Sequence, residues 1–338
     1  MFGKFRVAIM GTGKIAEVMA LTLKNTRGVA CYAVGSRTKE SADKFASKFG
    51  IKKAYGSYEE LVGDPKIDLI YVATPHSEHY RNVMLALSAG KHVLCEKAFM
   101  LNEKQAKAVF DYAEQQNLLV TEAMWTRYMP MRNKLMEVLA SNVIGEPTML
   151  TANLGYNISA KDRINKPELG GGALLDLGVY VLNFASMVWG DDIRRISASC
   201  IKTSTGVDGQ DNVMIEYQDD RMASLFSTIY TQTNRMGLIC GTEGYIEVQN
   251  INNPEQISVY KSGENGMVLD RSIDVPGQIS GYEYEVRACI KAINEGKIEC
   301  PEMPHSQTIQ IMCQMDEIRR QFGIVFPQEI SPDGGISD

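Results

Sequence analysis

Residues 1–122 alternate short apolar runs with amphipathic stretches, and this alternation constrains the fold more than any other feature of the chain. The runs FRVAIMG, VACYAVGS, LIYVAT, HVLCEKA and LLVTEA read as strands, while 14–26, 38–48, 78–89 and 103–116 carry helical spacing. Strands separated by helices of this length imply βαβ units, which build a parallel, doubly wound sheet with right-handed crossovers.

The first junction carries chemistry. Gly11-Thr12-Gly13-Lys14-Ile15-Ala16 closes the first strand and opens the first helix, the G-x-G-x-x-A form of the dinucleotide fingerprint. Its glycines allow a tight turn and bring backbone N–H groups at a helix N-terminus against a pyrophosphate. NAD-binding versions place a carboxylate at the end of the second strand, where it takes the ribose 2′-hydroxyl. Here that strand ends Val34-Gly35-Ser36-Arg37-Thr38-Lys39. A hydroxyl, a guanidinium and an ammonium stand where a 2′-phosphate would lie, which favours NADP over NAD. The alternative is that Ser36 or Thr38 only caps the next helix and Arg37 is solvated.

Two further strand ends hold polar residues where such sheets bind ligands, Thr74-Pro75-His76-Ser77-Glu78-His79 and Cys95-Glu96-Lys97-Ala98. His76-x-x-His79 has no third ligand nearby in sequence, so the histidines are read as cleft and helix-start residues, without a metal. Lys97 at a strand tip suits a cleft better than an open surface, or it contacts phosphate or ribose.

After Pro130 the pattern changes. A helix at 131–139, a strand at 148–156 and a helix opening near Gly172 precede IRRISASCIKTS, NVMIEYQ, MASLFSTIYTQ, RMGLICGT, YIEVQN and ISVYKS. Gln218-Asp219-Asp220-Arg221 and Gly241-Thr242-Glu243-Gly244 punctuate them as turns. An α+β domain with an open, mainly antiparallel sheet is expected. Helices at 282–295 and 305–322 close the chain, and SPDGGISD is expected to be a frayed tail. The division expected is a dinucleotide-binding domain at 1–122 and a substrate and dimerisation domain at 123–338.

Within GGGALLDLGVYVLN, residues 170–183, Asp176 and Tyr180 are four apart and share a helix face among apolar neighbours. A carboxylate in such surroundings is costly unless it is paired. The pair is either a satisfied core Asp with an ordinary core Tyr, or part of a site.

Net charge is −6 without a long basic run, which argues against nucleic acid and anionic membrane surfaces and for a small-molecule ligand. The stretch 173–189 contains Asp176 and Asn183 and is expected to fall short of a membrane span. The N-terminus lacks the apolar segment and cleavage site of a signal peptide. Cysteines at 31, 95, 200, 240, 289, 300 and 313 form no CxxC pair, so neither a disulfide framework nor a zinc site is expected. Together these imply a cytoplasmic protein.

Gly11-x-Gly13, Thr74-Pro75-His76 with His79, Glu96-Lys97, and Gly170-Gly171-Gly172 followed by Asp176 resemble the Gfo/Idh/MocA oxidoreductases over nearly the whole chain. Within that family, Cys95-Glu96-Lys97-Ala98-Phe99, Glu122-Ala123-Met124-Trp125-Thr126-Arg127 and Tyr180 look closest to the dimeric dihydrodiol and NADP-dependent xylose dehydrogenases. Many relatives have Glu-Lys-Pro and a histidine where this chain has Ala98 and Tyr180. The resemblance implies that Lys97 and Tyr180 meet across the nicotinamide of NADP. The ammonium would then lower the phenol's pKa for proton transfer to and from a sugar, polyol or cyclic diol. Asp176 would fix Lys97 or the substrate, and the glycines would bring the chain close to the cofactor. Trp125 and Arg127 would wall the cofactor site, with Trp125 equally readable as core filler. Asn157, Arg163, Gln232 and Arg235 are candidates for specificity, and the open sheet would pair with a second copy to form a homodimer. The rival readings are an enzyme that keeps and regenerates its cofactor, and an NADP-binding sensor without chemistry.

Overall fold

The structure, a computed structural model, describes residues 4–330, so the tail 331–338 lies outside the described residues. The chain forms two compact units. One runs up to Tyr128 and takes up Gln278–Ile309 again, and the other holds Met129–Gly277 and the chain from Gln310 onward.

In the first unit the chain runs β1 (Phe5–Met10), α1 (Lys14–Asn25), β2 (Val29–Gly35), α2 (Lys39–Phe49), β3 (Lys53–Tyr55) and α3 (Tyr58–Val62). It continues through β4 (Leu69–Val72), α4 (His76–Ser88), β5 (His92–Glu96), α5 (Glu103–Gln116), β6 (Val120–Ala123) and α6 (Trp125–Tyr128). All the pairings are parallel, in the order β3-β2-β1-β4-β5-β6. Val7–Met10, Leu69–Val72 and Val93–Cys95 are wholly buried, as expected of central parallel strands covered on both faces. The strand order reverses between β1 and β4, and ligands of such sheets bind beyond the carboxyl ends of the strands at that point. Gly11 and Thr74 leave the sheet there.

The second unit holds α7 (Pro130–Ala140), β7 (Pro147–Gly155) and two 3₁₀ turns, Asp162–Asn165 and Pro167–Leu169. A π-helical turn, Leu174–Gly178, then leads directly into α8 (Val179–Trp189). The strands β8 (Ile193–Lys202), β9 (Asp208–Tyr217), β10 (Met222–Thr228), β11 (Gly237–Gly241), β12 (Gly244–Gln249), β13 (Gln256–Gly263) and β14 (Gly266–Asp274) follow. They form one sheet in the order β14-β13-β12-β11-β7-β10-β9-β8. β7 lies between β10 and β11 and runs parallel to β10, so the sheet is mixed, with every other pairing antiparallel. The π turn and α8 pack on β7 and β10. Pro167–Trp189 is long and apolar enough to be weighed as a membrane span, contrary to the sequence expectation, but 89% of its most apolar window is buried inside the protein. Its apolarity is that of a core helix.

α9 (Glu283–Asn294) returns to the first unit, and α10 (His305–Phe322) begins there and ends in the second. The single boundary after residue 122 therefore differs from the observed division. β6 explains the return: Val120 N–H donates to Ile298 O at 3.1 Å, His305 Nε2 lies 2.8 Å from Val120 O, and the Thr308 hydroxyl donates to Glu122 Oε2 at 3.1 Å. Residues 120–122 thus find their partners far along the chain, where local sequence patterning carries no information.

Candidate cofactor and catalytic residues

In the first unit the turn after β1 is built around two glycines with different duties. Gly11 has φ +113°, and a Cβ on it would stand 2.7 Å from Ala73 O, so the β1 and β4 exits can lie together only without a side chain. Gly13 is the N-cap of α1, with ordinary φ and no side-chain cap, and a Cβ there would meet nothing within 4 Å. Uncapped N–H groups at a helix N-terminus facing open space suit an anion, so the fingerprint fits a dinucleotide pyrophosphate. Thr12 and Ile15 are half-buried, Gly13 and Lys14 are exposed, and Lys14 pairs with Glu17 at 3.2 Å.

At the end of β2, Ser36 is buried and Arg37 is exposed. Thr38 is the N-cap of α2, its oxygen accepting from Ser41 N–H at 3.3 Å and its hydroxyl donating to Ser41 Oγ at 2.9 Å. That was the capping alternative, and it leaves Ser36 and Arg37 as the better 2′-phosphate candidates.

The two histidines turn towards main chain. His79 is wholly buried, with Nε2 at 2.9 Å from Thr74 O and Nδ1 at 3.0 and 3.1 Å from Ala98 O and Phe99 O. Burial holds its imidazole below the usual range against the pull of these carbonyls. His76, on the far side of Pro75, brings Nε2 within 3.2 Å of Lys97 O. Asn82 donates to Thr74 Oγ1 at 3.0 Å. The pair therefore fixes the backbone from Lys97 to Phe99 against the β4 exit. Lys97 itself is half-buried, and its peptide bond to Ala98 is cis.

Tyr71, Glu96 and Glu122 complete this layer. The Tyr71 phenol donates to Glu96 Oε1, and Lys97 N–H donates to Glu96 Oε2 at 3.3 Å. Glu122 Oε1 accepts from Phe99 N–H at 3.1 Å, and burial pushes its carboxyl up to about 7 in spite of Thr308 and Arg127. Neither Tyr71 nor Glu122 stood out in sequence as a support for Lys97. A Tyr inside the apolar run LIYVAT and a carboxylate at a strand end were the available signals. Trp125 stacks on Tyr282 with centroids 4.2 Å apart, and Arg127 is buried. Trp125 is thus packed against the ring of the segment that returns to the first unit.

In the second unit, Asp176 sits in the π-helical turn and Tyr180 in the first turn of α8, both buried. A single wide turn of this kind inside a helix is a common mark of functional sites. Arg163 Nη1 lies 2.9 Å from Asp176 Oδ1, so the carboxylate is paired as its burial demands. Arg163, a specificity candidate, is thereby engaged with Asp176. Arg235, another, donates to the Tyr156 hydroxyl at 3.2 Å, whereas Asn157 and Gln232 are exposed.

The glycines before Asp176 serve the packing of the turn itself. A Cβ on Gly171 would stand 2.4 Å from Ile164 O, and one on Gly172, at φ +121°, would stand 2.3 Å from Asp208 Oδ1. Both close approaches are to this unit's own atoms. Gly171 and Gly172 are thus required by the packing of residues 163–164 and β9 around the turn.

Residues 5–124 match the oxidoreductase family with an NAD-binding Rossmann fold, and residues 133–247 match the Gfo/Idh/MocA C-terminal domain. The chain is 33% identical to a trans-1,2-dihydrobenzene-1,2-diol dehydrogenase of Xenopus tropicalis, over 94% of this chain and 98% of that one. It is 32% identical to a D-xylose 1-dehydrogenase (NADP(+)) of Hypocrea jecorina, over 96% and 94% respectively. The solved structure of a 3-ketoreductase from Actinomadura kijaniata, in complex with NADP and TDP-benzene, shares the fold with a TM-score of 0.85. It is 24% identical and covers 94% of this chain and 98% of that one. From both halves of the chain and from its full-length relatives, this protein belongs to the Gfo/Idh/MocA oxidoreductase family.

Proposed function

We propose that this protein is an NADP-dependent dehydrogenase or reductase that moves a hydride between nicotinamide and a hydroxyl-bearing or carbonyl carbon of a small sugar, polyol or cyclic diol. The observation that carries the reading is its full-length similarity to two dehydrogenases acting on such substrates, in a chain with an open nucleotide cradle, an ammonium at Lys97 and a phenol at Tyr180. NADP bound at the β1–α1 turn would supply the hydride acceptor and donor.

The residues divide the remaining work. Gly11, Gly13 and the α1 N-terminus hold the pyrophosphate, and Ser36 and Arg37 take the 2′-phosphate. Tyr180 accepts the substrate hydroxyl proton during oxidation and returns it during reduction. Lys97 of the first unit is the cation to which the family resemblance assigns the stabilisation of the phenolate that this requires. Asp176, held by Arg163, orients the reacting hydroxyl.

The open sheet offers a surface for a second copy. In register across it run Leu269, Tyr260, Tyr245, Cys240, Met149 and Met222, with Leu269 55%, Met149 42% and Met222 43% exposed. This apolar row lies on the face opposite buried Leu150 and Ala152, and its exposed side chains support a homodimer. Cys31, Cys95, Cys200, Cys240, Cys289 and Cys300 are thiols, which supports a reducing, cytoplasmic setting.

The test is incubation with NADP⁺ or NAD⁺ and a panel of aldoses, anhydro sugars and trans-dihydrodiols, read by reduced-nicotinamide absorbance. Reduction of NADP⁺ in preference to NAD⁺ by at least one class is expected. Tight NADP⁺ binding with no reduction by any of them would favour the sensor.

A further inference from the structure

We propose that Asp208 and Asp211 act as a pair of positioning residues, a proton shared between their carboxyls clamping the π-helical turn so that Asp176 and Tyr180 keep their orientation. Both belong to β9, both are almost wholly buried, and neither touches the reacting groups in any contact described above. They brace the two ends of the turn. At its start, Asp208 Oδ2 accepts Leu174 N–H at 2.5 Å, and the carboxylate lies so close to Gly172 that no Cβ fits between them. At its end, Asp211 Oδ2 accepts the Ser227 hydroxyl at 2.9 Å, and a Cβ on Gly178 would stand 3.3 Å from Ser227 Oγ.

One oxygen of each carboxyl, Asp208 Oδ1 and Asp211 Oδ1, is buried without an N–H or ordinary hydroxyl donor. The register of β9 against β8 slips by one residue between Gln210 and Asp208, which turns Asp208 and Asp211 to the same face; two buried carboxylates so placed cannot both ionise, and a proton between them supplies the missing hydrogen bond. Burial and the neighbouring Asp208 charge hold the Asp211 carboxyl well above its usual range, and burial raises Asp208 as well, so the pair keeps one proton between them. A negative charge at Asp208 also suits the N-terminal end of the helical segment that begins at Leu174. The clamp grips the turn that carries Asp176 and leads into Tyr180, the two residues assigned to substrate orientation and proton transfer. Misplacing a reacting group by about 1 Å can cost about a hundredfold in rate.

This inference rests on the role proposed for Tyr180, and the experiment separates the two. Asp208→Ala, Asp211→Ala and Asp211→Asn are compared for kcat, KM and NADP⁺ affinity, alone and combined with Tyr180→Phe. The two alanine changes should lower kcat about tenfold to a hundredfold while NADP⁺ affinity holds. Asp211→Asn keeps a donor towards Asp208 and an acceptor for Ser227, so its kcat should stay within about threefold of the parent. On the Tyr180→Phe background the alanine changes should cost clearly less than they do alone, because part of their effect runs through the hydroxyl already removed. If the alanine variants do not fold, Ser227→Ala, which deletes one hydroxyl, should lower kcat about threefold to tenfold. A kcat unmoved by Asp208→Ala or by Ser227→Ala, a loss in Asp211→Asn equal to that in Asp211→Ala, or losses that multiply on the Tyr180→Phe background would overturn the clamp. Full turnover by Tyr180→Phe alone would instead remove the reading beneath it.

Discussion

Glu122→Gln should make the protein more stable, and increasingly so as the pH rises. The Glu122 carboxyl is wholly buried at the end of β6, and its pKa is raised from 4.5 to about 7, chiefly by burial. The folded state therefore holds a proton that the unfolded state releases between these two values. Stability associated with Glu122 is fully present below pH 4.5 and is lost as pH rises through about 7. The gap corresponds to a loss of about 3 kcal/mol at complete ionisation, taking about 1.4 kcal/mol for each tenfold change in proton affinity. A glutamine in the same place reproduces the protonated group. Its amide oxygen accepts from Phe99 N–H and its NH₂ donates to Thr308 Oγ1, the two partners the carboxyl has now. It does not titrate. Thermal melts of parent and variant across pH 5 to 8 should nearly coincide at the acid end and separate by several degrees in favour of the variant at the alkaline end. A constant difference in Tm across that range, or a parent that gains on the variant as pH rises, would refute the assignment of a buried carboxyl with a raised pKa.

The glycines of the fingerprint should separate fold from ligand. Gly11→Ala forces a Cβ against the Ala73 carbonyl at positive φ and should lower stability by more than about 1 kcal/mol, measured by melting. Gly13→Ala enters open space and should leave Tm unchanged while weakening NADP⁺ in a binding titration; a lower Tm without loss of affinity would reverse the roles. Arg37→Asp should cost NADP⁺ about tenfold to a hundredfold in affinity, the range of one charge-assisted contact, and should spare NAD⁺. An unchanged preference in that titration would remove Arg37 from the 2′-phosphate site. Light scattering should give the mass of two chains, and Met149→Lys with Met222→Lys should shift it to one; a monomeric parent would contradict the sheet interface.

Much of the first unit was legible because its strands are buried on both faces and read as unbroken apolar runs. β3 escaped notice since Lys53–Tyr55 is three half-buried residues with no such run. β14 escaped for the opposite reason, as Gly266–Asp274 is exposed along nearly its whole length and carries charges. The place of β7 beside β10, and the return of α9 to the first unit, are decided by pairings between residues far apart in sequence, which local periodicity cannot encode. The site followed the same division. Gly11, Gly13, Lys97, Asp176 and Tyr180 were visible because glycine and charge are conspicuous at strand ends and in apolar helices. Asp208 was hidden within Gly206-Val207-Asp208-Gly209, which reads as a turn, and its meaning depends on Gly172 and Leu174 in another element. Thr38 shows the reverse, a hydroxyl at a plausible ligand position that also serves a helix cap.

The central claim is that the Tyr180 hydroxyl carries the substrate proton, and kcat for NADP⁺ reduction by Tyr180→Phe tests it most directly. The substitution keeps the ring within the core of α8 and removes one oxygen. A loss of about a hundredfold to ten-thousandfold in kcat, with NADP⁺ affinity unchanged, is the predicted result. A variant that turns over at the parent rate, whether or not it melts earlier, would contradict the mechanism and return Tyr180 to the core.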